Sequence, residues 1–318
     1  MKKTFFYMMM IVFVVLPTGC NKEDGTEPEP EPEFETTYQI TMLTLYPDVT
    51  ISLAGYGIVT IDWGDKTPMT VKVLREYSIA GWQSYDHSYT DAAATHTITI
   101  NGNGMTWFSC INTGTIQLDV SKNPVLDIMS CADNHLSSLD VSHNIALRTL
   151  FCAGNHLNSL DLKNNSRLIN LECYSNELSD LDVSRNKELE YLACYNNKLT
   201  KMDISNNPKL IHLQCMENEL LDLDVSNNTE LEVLLCYDNL LTKLDISANN
   251  KLFYLGCMTN DLSSQSLNEL FETLHNNTIP TRTKGVFIYG NPGIDDCDTS
   301  IATSKGWIVN KSISSLNL

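Results

Sequence analysis

Cysteine recurs every 21 residues along about half of the chain, and it is a residue type that can bind metals or undergo redox reactions. The thiols could form a metal-thiolate or redox array, or they could act as small apolar core side chains. No CxxC or Cys/His pairing occurs, and neighbouring in-register strands lie about 4.8 Å apart, beyond the roughly 3.5–4.5 Å between the Cβ atoms of a disulfide. The spacing therefore predicts buried free thiols. The series is Cys110, Cys131, Cys152, Cys173, Cys194, Cys215, Cys236 and Cys257.

Aspartate forms a second series with the same period, usually two residues before a serine. The series is Asp119, Asp140, Asp161, Asp182, Asp203, Asp224 and Asp245. Stacked carboxylates could bind a column of calcium ions, or they could accept hydrogen bonds from turn amides and hydroxyls. The turn role is favoured, because the glycine-rich GGxGxDxUx signature of calcium-binding β-rolls is absent.

Aromatic and methionine side chains recur at two further positions, where they could bind a ligand. The column after each cysteine is Ile111, Ala132, Ala153, Tyr174, Tyr195, Met216, Tyr237 and Met258; the column three residues before it is Trp107, Ile128, Thr149, Asn170, Tyr191, His212, Val233 and Tyr254. Between these columns lie Phe151, Glu172, Gln214 and Leu235. Exposed aromatics and methionines with few charges are typical of a protein-recognition surface or a sugar-stacking platform. The alternative is that cross-strand stacking only stabilises the sheet.

We predict a concave ligand-binding face built from these columns. Its predicted residues are Phe151, Tyr174, Tyr191, Tyr195, His212, Met216, Leu235, Tyr237, Tyr254 and Met258. Tyrosine and similar anchors dominate the energetics of such faces. The energetic centre is therefore expected at Tyr174, Tyr195, Met216, Tyr237 and Met258.

All these series belong to one repeating unit, LxxLxCxxNxLxxLDVSxNxx. A unit of 21 residues cannot bury its own apolar face, so the repeat predicts a solenoid of stacked coils. Because side chains alternate along a strand, Leu150 and Cys152 are expected to point inward, and Phe151 outward. An asparagine column is expected to hydrogen-bond the backbone at each turn. That column is Asn155, Asn176, Asn197, Asn218, Asn239 and Asn260.

Each unit contains a nested half-motif, since residues 136–144 repeat the LxxLxVxxN spacing. Over residues 105–264 the pattern resembles the IRREKO-type leucine-rich repeats of bacterial proteins. The resemblance implies a short strand on each side of every coil, slight curvature, and a long, nearly flat binding face. The first unit, with Met105 and Phe108 at repeat positions, is degenerate, as expected of a terminal coil.

Residues 37–104 contain period-two runs separated by Gly, Pro and Asp, which predict a small antiparallel β-sandwich. The run Trp63-Gly64-Asp65-Lys66-Thr67, followed by His87-Ser88-Tyr89, resembles the polycystic-kidney-disease (PKD) type domain, with Lys66 in place of the usual second glycine. In that family the turn and the later pair pack together. Trp63, Asp65 and His87 are therefore expected to have structural roles rather than to form a binding site. The sandwich is also expected to shield the first repeat.

The N-terminus predicts export and lipidation. Lys2 and Lys3 precede the apolar run 5–16, which suits a signal peptide and is too short to span a bilayer. The run ends in Leu16-Pro17-Thr18-Gly19-Cys20, which resembles the lipobox of bacterial lipoproteins, with Pro17 in the usual leucine place. The resemblance implies a signal peptide over 1–19 and lipidation of Cys20; the alternative is an ordinary cleaved signal.

The residues after Cys20 predict where the protein is displayed. Residues 21–24 are similar to the acidic export tag of Bacteroidetes lipoproteins, which implies the outer face of the outer membrane. The alternative is the periplasmic face. Alternating Glu and Pro over 27–35 favour an extended chain, so residues 20–36 are predicted to form a tether.

The 21-residue period breaks after Leu262, and residues 265–318 predict an α/β cap. Leu267, Leu270, Phe271 and Leu274 have helical spacing within 266–275. A strand and turn over 286–293, a helix over 295–304 and a strand over 307–309 are expected to follow. The whole fold is thus predicted to be mainly β: a parallel-stranded leucine-rich repeat solenoid of about eight coils between a small antiparallel β-sandwich and this cap.

Charge and motifs restrict the function. The net charge of −18 argues against binding to nucleic acid or to anionic lipid surfaces. No GxSxG, HExxH or phosphate-loop motif occurs, and the seven histidines are scattered. We therefore predict a non-enzymatic recognition or adhesion lipoprotein without a cofactor, which contacts the membrane only through its lipid anchor. The expected partner is a protein, such as a host or neighbouring-cell surface protein. The alternatives are a glycan-binding accessory lipoprotein and a passive envelope scaffold.

Overall fold

A computed structural model describes residues 37–67, 70–74, 83–91 and 94–312. The predicted signal peptide, Cys20 and the tether lie outside the described residues. The described part is mainly β, with 17 strands and two helices. Neither helix has the length and apolar character needed to cross a lipid bilayer.

The N-terminal segment forms two antiparallel layers, which confirms the predicted sandwich. Its strands are β1 (Tyr38–Thr44), β2 (Asp48–Gly55), β3 (Ile58–Asp62), β4 (Thr70–Val73), β5 (Gln83–Ser88) and β6 (His96–Gly102), and two strands of the first coil, β7 (Met105–Ser109) and β8 (Thr115–Lys122), complete the layers. One layer has the order β4-β3-β6-β1-β8, and the other contains β5, β2 and β7. Alternating side chains such as Ile40, Ile51 and Ile98 are fully buried in a common core.

The tryptophan–aspartate turn of the sandwich packs internally. The Trp63 ring stacks on His87 with 4.7 Å between centroids, and the Tyr89 hydroxyl donates to the Trp63 carbonyl at 2.7 Å. The Asp65 carboxylate accepts from the backbone and hydroxyl of Thr67 and lies 2.8 Å from His87 Nε2. These bonds hold the pKa of Asp65 well below its usual range. The expected structural roles of Trp63, Asp65 and His87 are therefore confirmed.

The repeats form the predicted parallel solenoid. Their strands are β9 (Ile128–Ser130), β10 (Thr149–Phe151), β11 (Asn170–Glu172), β12 (Tyr191–Ala193), β13 (His212–Gln214), β14 (Val233–Leu235) and β15 (Tyr254–Gly256). Each strand pairs in register with residues 21 positions away in the chain, as Thr149 does with Asn170. β7 pairs parallel with β9 and antiparallel with β2, so the sandwich covers the first coil as expected. The predicted boundary after residue 104 falls at the start of β7.

The coil interior is apolar. Leu147, Leu150, Cys152 and Leu157 are all fully buried. All eight cysteines of the series are free thiols and fully buried, which confirms the predicted core role. Burial raises the pKa of the Cys152 thiol to about 12, so this thiol stays protonated near neutral pH.

The prediction of a short strand on the second side of each coil, which the resemblance implied, is wrong. From residue 131 to 262 the second sides contain no strand. They turn instead through short local hydrogen bonds, in which an aspartate carboxylate accepts from the backbone N–H two residues later, as Asp182 does from Ser184 at 2.9 Å. Such a turn competes with a ladder for the backbone groups. The exception is β8 in the first coil, which pairs with β1 of the sandwich.

The C-terminal cap has the expected order of helix, strand, helix and strand. Its elements are α1 (Ser264–Thr273), β16 (Lys284–Phe287), α2 (Thr299–Ser304) and β17 (Trp307–Asn310). Helix α2 begins later than predicted, because the Asp298 side chain accepts from the Ser300 N–H and caps the helix there. β16 pairs parallel with β15, and β17 pairs parallel with β16, so the solenoid sheet extends into the cap.

Candidate functional site

The outward side chains of β9–β15, together with the residue that follows each cysteine, form one surface that we call the sheet face. In-register pairing aligns equivalent residues in columns, so the alternation expected from the sequence holds along the whole ladder. The ten predicted binding residues all belong to this face. They occupy three adjacent columns: Tyr191, His212 and Tyr254; Phe151 and Leu235; and Tyr174, Tyr195, Met216, Tyr237 and Met258.

The prediction that Met216 and Met258 are exposed is wrong. Met216 and Met258 have only 7% and 6% of their surface exposed, whereas the other eight predicted residues are half-buried. Strands about 4.8 Å apart leave long unbranched side chains covered by their neighbours in the same column. The accessible part of the predicted site is therefore aromatic except for Leu235, and the two methionines contribute little accessible surface.

The aromatic side chains contact one another across the strands. The rings of Tyr174 and Tyr195 stack at 4.3 Å between centroids with 6° between their planes. Tyr191 meets His212 edge to face at 5.8 Å, and its hydroxyl accepts a hydrogen bond from Gln214 Nε2 at 2.9 Å. These contacts stabilise the sheet, as the alternative interpretation of the columns expects. They also hold the rings in fixed positions.

Burial keeps most titratable groups of the sheet face neutral. It raises the pKa of Tyr191 and Tyr195 above the usual range and that of Tyr237 to about 12, and it lowers the pKa of His212. The exception is Glu172. Burial raises the pKa of its carboxyl group to about 7. Loss of water disfavours the charged form of a carboxyl group. This face therefore carries one acid that titrates near neutral pH.

Sequence reasoning left several residues out of the predicted site. Glu172 and Gln214 were identified between the columns, but they are not aromatic. Phe287 and Tyr289 continue the face into the cap, where Phe287 stacks on Tyr254 at 4.8 Å. A signal for this extension exists, because residues 286–291 (VFIYGN) repeat the LxCxxN spacing, with Ile288 in the cysteine position.

The predicted asparagine column lies along one edge of the sheet face and fixes each turn, as expected. Asn176 Oδ1 accepts from the Leu157 N–H at 3.0 Å, while its Nδ2 donates to the carbonyls of Cys152, Cys173 and Tyr174. Asn134 and Asn291 extend the column at its two ends. Every bond reaches either the same turn or the preceding coil. The ladder therefore sets the spacing of the aromatic columns.

The residue after each aromatic column has a positive φ that the sequence analysis did not identify. The non-glycine members are Asn112, Asp133, Ser175, Asn196, Glu217, Asp238 and Thr259. Each N–H donates to the carbonyl of the column residue in the next coil, as Ser175 does to Tyr195 at 3.0 Å. Asp, Asn, Ser and Gly at this position are the available signal, because short polar residues and glycine tolerate left-handed backbone.

The aspartate column lies on the opposite side of the coils. Each carboxylate accepts from a backbone N–H two residues later, at 2.9 Å for Asp140 and Ser142. Hydrogen bonds from Ser142 lower the pKa of Asp140. The described residues include no group of three or more His, Cys, Asp and Glu side chains placed to hold a metal ion. The expected turn role is confirmed.

Comparison with known proteins supports the architecture. No protein-family model matches the sequence, and no curated protein matches it. Among solved structures, a leucine-rich repeat protein from Leptospira interrogans is 20% identical, covers 60% of this chain and 50% of its own, and superposes with a TM-score of 0.50. The described chain has the leucine-rich repeat fold.

Two Listeria monocytogenes structures are also similar. The functional domain of InlJ, which includes a cysteine ladder, is 24% identical over 70% of this chain and 56% of its own, with a TM-score of 0.39. The internalin InlF is 16% identical over 58% of this chain and 74% of its own, with a TM-score of 0.37. The chain thus spans about half the length of the first two proteins.

Proposed function

We propose that the chain is a surface-displayed lipoprotein of a Bacteroidetes-type bacterium that binds a protein through its sheet face and catalyses no reaction. A lipid on Cys20 anchors it in the outer membrane, residues 20–36 form a tether, and the PKD-like sandwich forms the base. The partner is a host or neighbouring-cell surface protein. Display on the periplasmic face is the competing location.

The observation that carries this proposal is the set of half-buried tyrosines that recur along two columns of the sheet face. Tyr174, Tyr195 and Tyr237 follow one column, and Tyr191 and Tyr254 another. Rigid aromatic side chains bury a large area at low entropic cost, which is why they serve as binding anchors. The leucine-rich repeat fold supports the same role, because a solenoid presents one extended surface along its whole length.

Glycan binding is the second candidate function, favoured by the same tyrosines. A sugar ring stacks on an open aromatic face, and the close Tyr174–Tyr195 stack covers one face of each ring. That pair therefore offers less open ring surface to a sugar than isolated tyrosines would. Protein binding is the better supported of the two functions.

The test is binding of the purified protein to a panel of host glycoproteins before and after enzymatic deglycosylation. We expect at least one protein to bind and to remain bound after its glycans are removed. A variant with Tyr174, Tyr195 and Tyr237 replaced by Ala is expected to bind at least about tenfold more weakly, because each anchor contributes more than about 1 kcal/mol. Circular dichroism checks that this variant is folded.

The matched control is Tyr56→Ala, which removes a tyrosine with 48% of its surface exposed on the sandwich. This variant is expected to bind like the wild type. Binding that disappears with the glycans would favour the glycan function. A wild-type protein that binds nothing in the panel would favour the passive scaffold.

The anchor has its own test. Cys20→Ser removes the predicted acylated thiol, so we expect the variant to leave the membrane fraction and to lose the mass of the lipid. Protease treatment of intact cells then distinguishes the two display faces, because only surface-displayed protein is digested. A Cys20→Ser variant that stays in the membrane fraction would contradict lipid anchoring.

A further inference from the structure

Glu172 differs from every other residue of the repeat strands, because it is the one charged residue in β9–β15. In the register of the sheet, Phe151 lies beside it on β10 and Ala193 beside it on β12. Tyr191 and Tyr195 lie close enough for the charge of Glu172 to contribute to their raised pKa values. The carboxylate is therefore placed among rings and a methyl group.

Five other carboxylates on the coils each pair with a lysine one coil further along. Glu177 pairs with Lys198 at 2.9 Å, and Asp180 pairs with Lys201 at 3.5 Å. The same 21-residue spacing joins three further pairs, which are Glu188 with Lys209, Asp222 with Lys243 and Glu230 with Lys251. The chain thus has a recurrent way of pairing an acid with a cation on the neighbouring coil.

Glu172 lacks such a partner. The residue 21 positions later is Ala193, and the carboxylate forms neither an ion pair nor a hydrogen bond with any residue that the structure describes. Its pKa of about 7 reflects this burial without compensation. A carboxylate removed from water costs free energy unless a cation or a donor satisfies it. The sheet face therefore presents a site that favours a cation from outside the chain.

The neighbours of Glu172 suit a planar cation. A guanidinium group donates two parallel hydrogen bonds to one carboxylate and also lies flat against aromatic rings. The stacked rings of Tyr174 and Tyr195 and the ring of Tyr191 supply such surfaces beside it. The net charge of −18 attracts a basic partner over longer distances.

We propose that Glu172 binds an arginine side chain of a protein partner. This inference rests on the proposed function, in which the sheet face binds a protein, and adds the chemistry of the partner. On binding, Glu172 releases its proton to solvent and its two oxygens accept hydrogen bonds from the guanidinium. Lysine binds more weakly, because its ammonium group cannot pair with both oxygens in the same plane.

The test uses the purified protein and three peptides of sequence Gly-Gly-X-Gly-Gly with blocked ends, in which X is arginine, lysine or the neutral isostere citrulline. NMR titration follows the tyrosine ring signals at constant ionic strength. We expect the arginine peptide to bind about tenfold more tightly than the citrulline peptide, since a charged donor forms a stronger hydrogen bond to a carboxylate than a neutral donor does. Glu172→Gln should abolish this preference.

The matched control is Glu219→Gln, which removes an exposed carboxylate outside the sheet face and should preserve the preference. Equal binding of arginine and citrulline peptides to the wild type would overturn the proposal. So would an unchanged preference in Glu172→Gln. A lysine peptide that binds as tightly as the arginine peptide would overturn the assignment of arginine.

A second measurement varies the pH. Ionised Glu172 increases from about a tenth to about nine-tenths of the molecules between pH 6 and pH 8, so arginine affinity is expected to rise nearly tenfold. The titratable groups around it are Tyr174, Tyr191 and Tyr195 on the face and Cys152 and Cys173 behind it. The raised pKa values of Tyr191, Tyr195 and both thiols keep those four groups neutral in this range. An affinity independent of pH would contradict the proposal.

The two proposals can fail separately. If the arginine preference is absent while the triple tyrosine variant still loses a protein partner, the sheet face binds protein and Glu172 does not select the cation. If the arginine preference is present while no glycoprotein binds, the cation site stands and the partner class is wrong.

Discussion

The two sides of each coil carry asparagine ladders that look alike in the sequence and differ in the structure. On the sheet side, Asn176 uses both its carbonyl and its amide group. On the opposite side, Asn186 donates from Nδ2 to the carbonyls of Leu162 and Asn165 at 3.2 and 2.8 Å, but its buried Oδ1 has no described partner. The same orphaned Oδ1 recurs along that ladder at Asn123, Asn144, Asn165, Asn186, Asn207, Asn228 and Asn249.

The difference follows from what each turn leaves unpaired. The sheet-side turn presents backbone carbonyls and one backbone N–H. The asparagine NH2 group donates to the carbonyls, and its side-chain oxygen accepts from the N–H. On the opposite side, the aspartate carboxylate already takes a turn N–H, so the asparagine finds only carbonyls to bind. A side-chain amide whose NH2 group and oxygen both form hydrogen bonds stabilises the fold more than an amide whose buried oxygen has no partner. The sheet side is therefore the more strongly fixed side of the coil, and it is the side with the candidate binding residues.

The largest expected effect is from Asn176→Ala on the sheet side. The substitution removes three donated bonds and leaves the Leu157 N–H without its acceptor. We expect the free energy of unfolding to fall by about 4 kcal/mol, measured by urea denaturation at pH 7. Asn227→Ala, at an exposed position, is the control and should change it by less than about 0.5 kcal/mol. A loss below about 2 kcal/mol would remove the distinction between the ladders.

Glu172→Gln is expected to stabilise the sheet side by about 3 kcal/mol at pH 8. Burial raises the pKa of Glu172 from 4.5 to about 7, so the folded state retains a proton that the unfolded state has released. The contribution of this group to stability is therefore complete below pH 4.5 and is lost as the pH rises through about 7. Glutamine stays neutral, so denaturation curves of variant and wild type should coincide at pH 4 and separate at pH 8. Curves that coincide at both pH values would contradict the burial of this carboxylate.

Asn186→Ala on the opposite side is expected to cost about 2 kcal/mol, roughly half as much as its counterpart. It removes two donated bonds, but it also removes the buried oxygen that has no described partner. The same urea experiment measures it, and Asn176→Ala serves as the comparison. Equal losses from the two variants would show that the orphaned oxygen has no cost.

The smallest effect is expected from Asp182→Asn at the exposed turn of the opposite side. Asparagine can still accept from the Ser184 N–H, so only the charge is lost. Hydrogen bonds from Ser184 lower the pKa of Asp182, so its contribution is present above pH 3.8 and is lost as the pH falls through the lowered pKa. We expect a loss within about 0.5 kcal/mol at pH 7 and a smaller loss at pH 2. A larger loss at pH 2 than at pH 7 would contradict this sign.

The sequence predicts the interior of the coils better than their surface. The residue types of Cys152 and Asn155 recur with a strict 21-residue period. A residue type that stays the same in every repeat faces the same neighbours in every coil, so its burial and its hydrogen bonds to the backbone could be inferred from the sequence. The burial of Met216 could not, because exposure depends on the neighbouring columns rather than on the alternation of one strand. The missing second strand depends on whether Asp182 accepts from the backbone before a ladder forms. The environment of Glu172 depends on Phe151 and Ala193 in adjacent coils, and the repeat pattern describes neither position.

The regular spacing of the contacts between coils has a consequence for the genetics of this protein. The asparagine bonds that join one coil to the next connect residues 19, 21 or 24 positions apart, and the lysine pairs connect residues 21 apart. Removing or duplicating one 21-residue segment would therefore recreate the same partners on either side of the junction. Unequal recombination within the gene could lengthen or shorten the sheet face by one strand, about 4.8 Å, at each event while the coils remain stacked. The length of the sheet face can thus change in steps of one strand while every coil keeps the same packing.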